Sequence, residues 1–115
     1  MNCKQREIIL VPFPYSDLSS SKKRPVLVVS NNQYNKLFDD MVVCVITGNT
    51  RMDNYSLEIS DNDLEIGTMP EPSVIKTHKL FTIHKSRVLK KFSSVEEKFF
   101  ERVRKKIHEL IESRW

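Results

Sequence analysis

A chain of 115 residues, 39% apolar and 30% charged, has room for one domain (1–115) with a small core and is too apolar to stay disordered. No apolar run approaches a membrane span, the first residues do not resemble a secretory signal, and Cys3 and Cys44 form no CxxC pair. The expectation is a cytoplasmic protein with two reduced thiols and no membrane attachment. The net charge of +4 conceals a segregation: Met52 to Ile75 holds six acids and no Lys or Arg, whereas Lys76 to Phe92 holds six cations, two histidines and no acid. A basic face of that kind suits a polyanion, and the acidic segment weighs against indiscriminate nucleic-acid binding.

The most informative stretch is Ile8 to Asn31, IILVPFPYSDLSSSKKRPVLVVSN. Its first apolar run predicts a strand over Ile8 to Phe13, buried on both sides near its centre. Pro12 and Pro14 mark an edge or a terminal bend, because proline has no N–H to give a ladder. Tyr15 to Lys23 reads as a long loop with Asp17 and a run of three serines, without glycine. It ends in Lys22, Lys23 and Arg24, which gathers three cations at the mouth of a hairpin. Pro25 to Ser30 is the second strand. Asn31, Asn32 and Asn35 then predict a turn or a short helical piece. Met41 to Thr47 is a third strand, the densest in β-branched residues, and Gly48-Asn49 stops it. Tyr55 to Ile59 alternates Tyr55, Leu57 and Ile59 against Ser56 and Glu58, the period of a half-exposed strand. Gly67, Pro70 and Pro72 enforce an irregular connection before Ser73 to Ile83, which is one strand with a break or two short ones. Ser93 or Ser94 is placed to cap a helix, with Glu96 or Glu97 completing a capping box. That helix runs to about Ser113. Val95, Phe99, Val103, Ile107 and Ile111 step by four along it, and Phe100 and Leu110 widen the stripe. The expected fold is mainly β within the α+β class: a small, strongly curved antiparallel barrel or half-barrel with a terminal helix.

Three histidines and two cysteines without close spacing build no zinc site, two glycines build neither a P-loop nor a dinucleotide fingerprint, and GxSxG is absent. Neither metal nor cofactor is expected. What remains is polar groups at strand ends. Arg24 opens the second strand, Thr47 closes the third beside Asn49, and Lys76 and His78 share a strand face by the period of two. Brought together, a guanidinium, a hydroxyl, an ammonium and an imidazole match phosphodiester cleavage. A ribose 2′-OH attacks, cations stabilise the developing pentavalent charge, and an acid protonates the departing 5′-oxygen. Because the nucleophile belongs to the substrate, such a site distinguishes RNA from DNA.

Taken together, IILVPFPYSDLSSSKKRPVLVVSN, VVCVITGN and PSVIKTHKLFTIHKSRV, in this order and spacing over nearly the whole chain, resemble the PemK/MazF family of toxin endoribonucleases. The segment LFTIHKS is similar to the family's kLfTiDks. The resemblance implies a small SH3-like barrel of the CcdB/Kid/MazF type, a homodimer, and metal-free, cofactor-free cleavage of single-stranded RNA (mRNA) to a 2′,3′-cyclic phosphate and a 5′-hydroxyl. It also implies a cognate antitoxin protein that covers the RNA groove. Carried over, Arg24 falls on the family's catalytic arginine before proline and Thr47 on its Ser/Thr at the end of the third strand. Lys76 and His78 fall where many relatives carry Arg and Asp. The expected catalytic residues are therefore Arg24, Thr47 and His78, with Ser20, Ser21, Lys22, Lys23, Asn49 and Lys76 binding substrate. A guanidinium does not surrender its proton at neutral pH and a threonine hydroxyl is a poor base, so Arg24 stabilises charge and Thr47 positions. His78 is the expected proton carrier, because an imidazole can serve as base or acid around neutrality. The chain departs from its relatives at Arg6-Glu7, where they have a glycine and an acid, and at Ser20, where many have a loop glycine.

Two other readings stay open at this point. A CcdB-like toxin would inhibit gyrase by binding protein, and Trp115 is a pointer to it. A non-catalytic RNA-binding module would stack bases on Phe13, Tyr15, Tyr34 or Phe38.

Overall fold

Apolar runs with β-branched residues become strands here, and their polar punctuation becomes the turns. The computed structural model describes residues 2–12 and 23–114. Its strands are β1 (Glu7–Pro12), β2 (Lys23–Val28), β3 (Asp40–Thr47), β4 (Ser56–Ile59), β5 (Ser73–His84) and β6 (Lys90–Ser94), with helices α1 (Asn32–Leu37) and α2 (Glu97–Ile111). The six strands form one sheet in the order β4-β5-β3-β2-β1-β6, every neighbouring pair antiparallel. The two outer strands are drawn towards one another. Leu64, past the end of β4, bridges Val95, past the end of β6, while the Glu65 N–H donates to Ser94 O at 2.8 Å and the Glu96 N–H to Asp63 O at 2.7 Å. The sheet therefore curls into the half-barrel that the short strands predict.

Both faces of the sheet are buried. Ile8, Leu27, Cys44, Ile46 and Ile75 point into one cluster, which Phe99, Phe100 and Val103 of α2 complete. Their chain neighbours Ile9, Val26, Val28 and Val43 point into the other, with Cys3, Met41 and Val88. This is why β1 is a continuous apolar run rather than an alternating one. The last turn of α2 projects beyond the core, and Ile111 is 74% exposed. No helix among the described residues is long and apolar enough to cross a membrane. The cysteines lie in different clusters as buried free thiols. Burial pushes the Cys44 thiol up to about 12, and burial followed by the Glu7 carboxylate raises Cys3.

Several expectations are corrected. β1 is not an edge strand, since it pairs with both β2 and β6. Its Pro12 is tolerated because β6 reaches only to Leu10. Likewise Pro25 pairs with β1, while β3 pairing begins at Val26. Ser93 and Ser94 do not cap α2 but belong to β6, where they pair with Ile8 and Glu7, next to a register shift between Ile8 and Ile9. Glu96 is the N-cap, without a side-chain hydrogen bond, and the helix ends at Ile111. In β4, Ser56 is buried alongside Leu57 and Ile59, for a reason that emerges at the site. The short helical piece does form: Asn31 caps α1, its side chain accepting from the Tyr34 N–H at 2.8 Å. Of the expected loop from Tyr15 to Lys23, only Lys23 lies within the described residues, so Ser20, Ser21 and Lys22, as well as Phe13 and Trp115, are outside them.

Arg6, just ahead of β1, has φ +80°. A side chain in this left-handed region costs about 1–2 kcal/mol, and glycine avoids that cost. Here the conformation is held by the barrel closure. The Arg6 N–H donates to Val28 O, Arg6 O accepts from the Val95 N–H, and the guanidinium donates to Glu65 and to Val95 O, each at 3.1 Å. Arg6→Ala keeps the strained Cβ and loses the guanidinium contacts. It is expected to unfold at lower urea than Arg6→Gly, by about 1 kcal/mol in stability. Equal midpoints for the two variants would show that the backbone strain is not borne at this residue.

Candidate active site

The register between β2 and β3 pairs Val28 with Val43 and Val26 with Val45. Continued by two residues, it sets Arg24 beside Thr47 at the open ends of both strands, on the face opposite α2. Both line a cleft of about 490 Å³ that also takes in Asn49, Lys76, Lys79 and Phe81. Of the residues expected at the site, Arg24, Thr47, Asn49 and Lys76 are thus brought together. Lys23, exposed at the start of β2, lines an adjoining cleft of about 300 Å³ with Glu71, Ser73 and Phe92, and Arg24 borders both clefts. Ser20, Ser21 and Lys22 lie outside the described residues.

The end of β3 is shaped by two successive side-chain turns. The Thr47 hydroxyl oxygen accepts the Asn49 N–H at 3.1 Å, and the Asn49 side-chain oxygen accepts the Arg51 N–H at 3.2 Å. Thr47 therefore keeps its own proton available for donation, and Asn49 keeps its NH₂ group. Both are equipped to hold an anion's oxygen, and neither to remove a proton. Gly48 serves by close approach. A Cβ there would meet Glu71 Oε1 at 2.5 Å, so any side chain at this position would push the Glu71 carboxylate aside.

Lys76 and His78 do not share a face. Cys44 pairs with Leu80 and the next residue, Val45, pairs with Lys76, so Thr77, His78 and Lys79 form an extra three-residue bulge in β5. A bulge of that size turns the alternation over. Thr77 ties it to the neighbouring turn, its N–H and its hydroxyl both donating to Tyr55 O, at 3.1 and 2.7 Å. The His78 ring leans on Tyr55, centroids 5.9 Å apart and tilted by 52°, and does not line the cleft. Its Nδ1 is buried with no hydrogen-bond partner among the described residues. The ring thus lacks the second group that ordinarily orients an acid–base histidine.

Lys76 is 8% exposed, and its ammonium donates to Arg51 O at 2.6 Å, Ser56 Oγ at 2.9 Å and Asp53 Oδ2 at 3.3 Å. An ammonium has three N–H donors, so all are committed. This accounts for the burial of Ser56 in β4. Asp53 in turn accepts from the Tyr55 N–H at 2.9 Å and the Ser56 hydroxyl at 2.8 Å. Those two hydrogen bonds, followed by the one from Lys76, hold its carboxyl at about 2. Lys79 is exposed on the cleft wall and was missed in the sequence, because the period of two placed it on the other face. Only the pairing with β3 reveals it.

The comparisons with known proteins agree with this architecture. The model of a family described as PemK-like, MazF-like toxin of type II toxin-antitoxin system matches residues 4–111. No curated protein matches the sequence. Among solved structures, an endoribonuclease in complex with its cognate antitoxin from a mycobacterial species is 15% identical, with a TM-score of 0.77 and 98% of each chain covered. MazF in a MazE–MazF crystal structure from Deinococcus radiodurans is 16% identical, with a TM-score of 0.76 and 99% of each chain covered. At such identities the structural likeness establishes the fold, a curled antiparallel half-barrel with a C-terminal helix.

Because the Asp53 carboxyl sits below its ordinary 3.8, its contribution to stability is fully present above that value and is lost as pH falls through about 2. Thermal unfolding of the wild type and Asp53→Asn should differ by a constant amount from neutral pH down to about pH 4, then converge in stronger acid. Convergence already near neutrality would show that the carboxylate is not held by these hydrogen bonds.

Proposed function

Because this chain belongs to the PemK-like, MazF-like toxins of type II toxin–antitoxin systems, we propose that it is a metal-independent endoribonuclease of single-stranded RNA, restrained by a cognate antitoxin. The observation that carries the reading is the adjacency of Arg24 and Thr47 at the mouth of a cleft with further cations on its wall. The substrate's 2′-oxygen attacks the neighbouring phosphorus. The P–O2′ bond forms as the P–O5′ bond breaks, water in the open cleft accepts the 2′-OH proton, and water delivers one proton to the departing 5′-oxygen, so the protons balance. The products are a 2′,3′-cyclic phosphate and a 5′-hydroxyl.

Arg24 meets the charge that builds on the non-bridging oxygens, with two-pronged donors suited to a phosphoryl group. Thr47 donates its free proton to one of those oxygens, and the Asn49 amide helps to fix the phosphate within reach. The work of the protein is therefore orientation and electrostatic stabilisation rather than proton abstraction by a strong base. The placement of His78 outside the cleft supports this distribution of roles. The antitoxin complexes of the mycobacterial and Deinococcus proteins support the proposal that an antitoxin binds here as well. A cytoplasmic homodimer completes the reading.

Incubation of the purified protein with a long RNA in EDTA should give discrete fragments with cyclic-phosphate and 5′-hydroxyl ends. Arg24→Ala should lower the cleavage rate by about 10²–10³-fold, the usual cost of removing a group that stabilises transition-state charge. His78→Ala should lose far less. Intact RNA, or an Arg24→Ala rate equal to wild type, would overturn the proposal and leave a protein-binding toxin.

A further inference from the structure

We propose that Lys79, presented by the three-residue bulge of β5, is the lysine through which the cleft holds an RNA phosphate next to the one engaged by Arg24, and that Lys76 is an internal staple with no substrate contact. This rests on the endoribonuclease reading above and deepens it.

Position in the sequence favours Lys76, and its chemistry favours Lys79. All three N–H groups of Lys76 are spent on Arg51 O, Ser56 Oγ and Asp53, and Asp53 neutralises its charge. A phosphate could recruit that ammonium only by breaking one of those bonds and exposing a nearly buried cation. What Lys76 does instead is pin the segment from Arg51 to Ser56 beneath the cleft. That segment also anchors Asn49, through the Arg51 N–H, and the bulge, through Tyr55 O. Lys76 is thus a positioning residue. Lys79 lies in the same cleft as Arg24 and Thr47, is exposed, and makes no hydrogen bond or ion pair among the described residues. A solvated ammonium on a flexible stem can follow a phosphate without giving up a protein contact. Its attraction needs no base identity, so it serves affinity along the strand rather than choice of sequence.

The test is the salt dependence of binding to a 2′-O-methyl RNA, which cannot be cleaved, followed by fluorescence anisotropy, beside cleavage of the unmodified RNA. Each phosphate contact to a single strand contributes about 0.7 to the slope of log affinity against log salt. Lys79→Met should reduce the slope by about 0.7 and weaken binding several-fold at low salt, with an unchanged melting temperature. Lys79→Arg should restore the slope. Lys98→Met, on the exposed face of α2, should leave it as in the wild type. Lys76→Met should lower the melting temperature. If it folds, it should keep the wild-type slope. A Lys79→Met slope equal to wild type, or a loss of slope in Lys76→Met, would overturn this proposal while RNA cleavage by the wild type still stood. A wild type that neither binds nor cuts RNA would overturn the underlying reading itself.

Discussion

Three residues more in β5 than β3 can pair with decide which side chains meet at the mouth of this barrel. Were Thr77, His78 and Lys79 paired regularly with β3 instead of bulged out, Lys76 and Leu80 would face the same way. With the bulge, Lys76 is directed down onto the turn after β3, Leu80 packs on the helix-side core, and Lys79 is carried out to the cleft wall. The bulge is secured by Thr77, whose amide and hydroxyl converge on one carbonyl, and by the buried ammonium of Lys76 beside it. Hydrogen bonds to a charged donor in a site shielded from water are among the stronger ones, so the irregularity is a fixed part of the scaffold.

The same contacts show how the segregated charges are used. The first cation of the basic segment reaches back to the first acid of the acidic one, Lys76 to Asp53, and Lys91 pairs with Glu7. On the cleft wall Lys79 is exposed, and Arg24 stands where two clefts adjoin. A polyanion running across the strand ends would pass over that guanidinium whichever cleft it enters first. The Glu71 carboxylate over Gly48 faces the second cleft together with Lys23, so that cleft carries both signs of charge where the first carries only cations.

Much of this was legible in the sequence wherever one local rule governed. Ile8 to Val11 is apolar throughout because two cores need it, and Asn31 and Asn35 sit in and beside a capped turn because their side chains compete for backbone groups. Arg24 and Thr47 were readable because each ends a clear strand. The failures came from long-range pairing. Ser93 and Ser94 have the composition of a helix cap, yet the ladder with β1 claims them, more than eighty residues away in sequence. His78 looked like a partner of Lys76 because the period of two holds inside regular strands, and nothing in THK announces a bulge. The commitment of Lys76 to Asp53 and Ser56 was equally invisible, since it depends on a turn that pattern alone does not locate.

The sheet also separates its two thiols. Cys44 points into the cluster beneath the helix, and Cys3 packs in the cluster on the other side. A covalent S–S link needs its Cα atoms within about 7 Å and its side chains aimed at one another, which side chains on opposite faces of an intact sheet do not provide. An oxidant therefore cannot join Cys3 to Cys44 within the folded chain, and burial disfavours the thiolate at both.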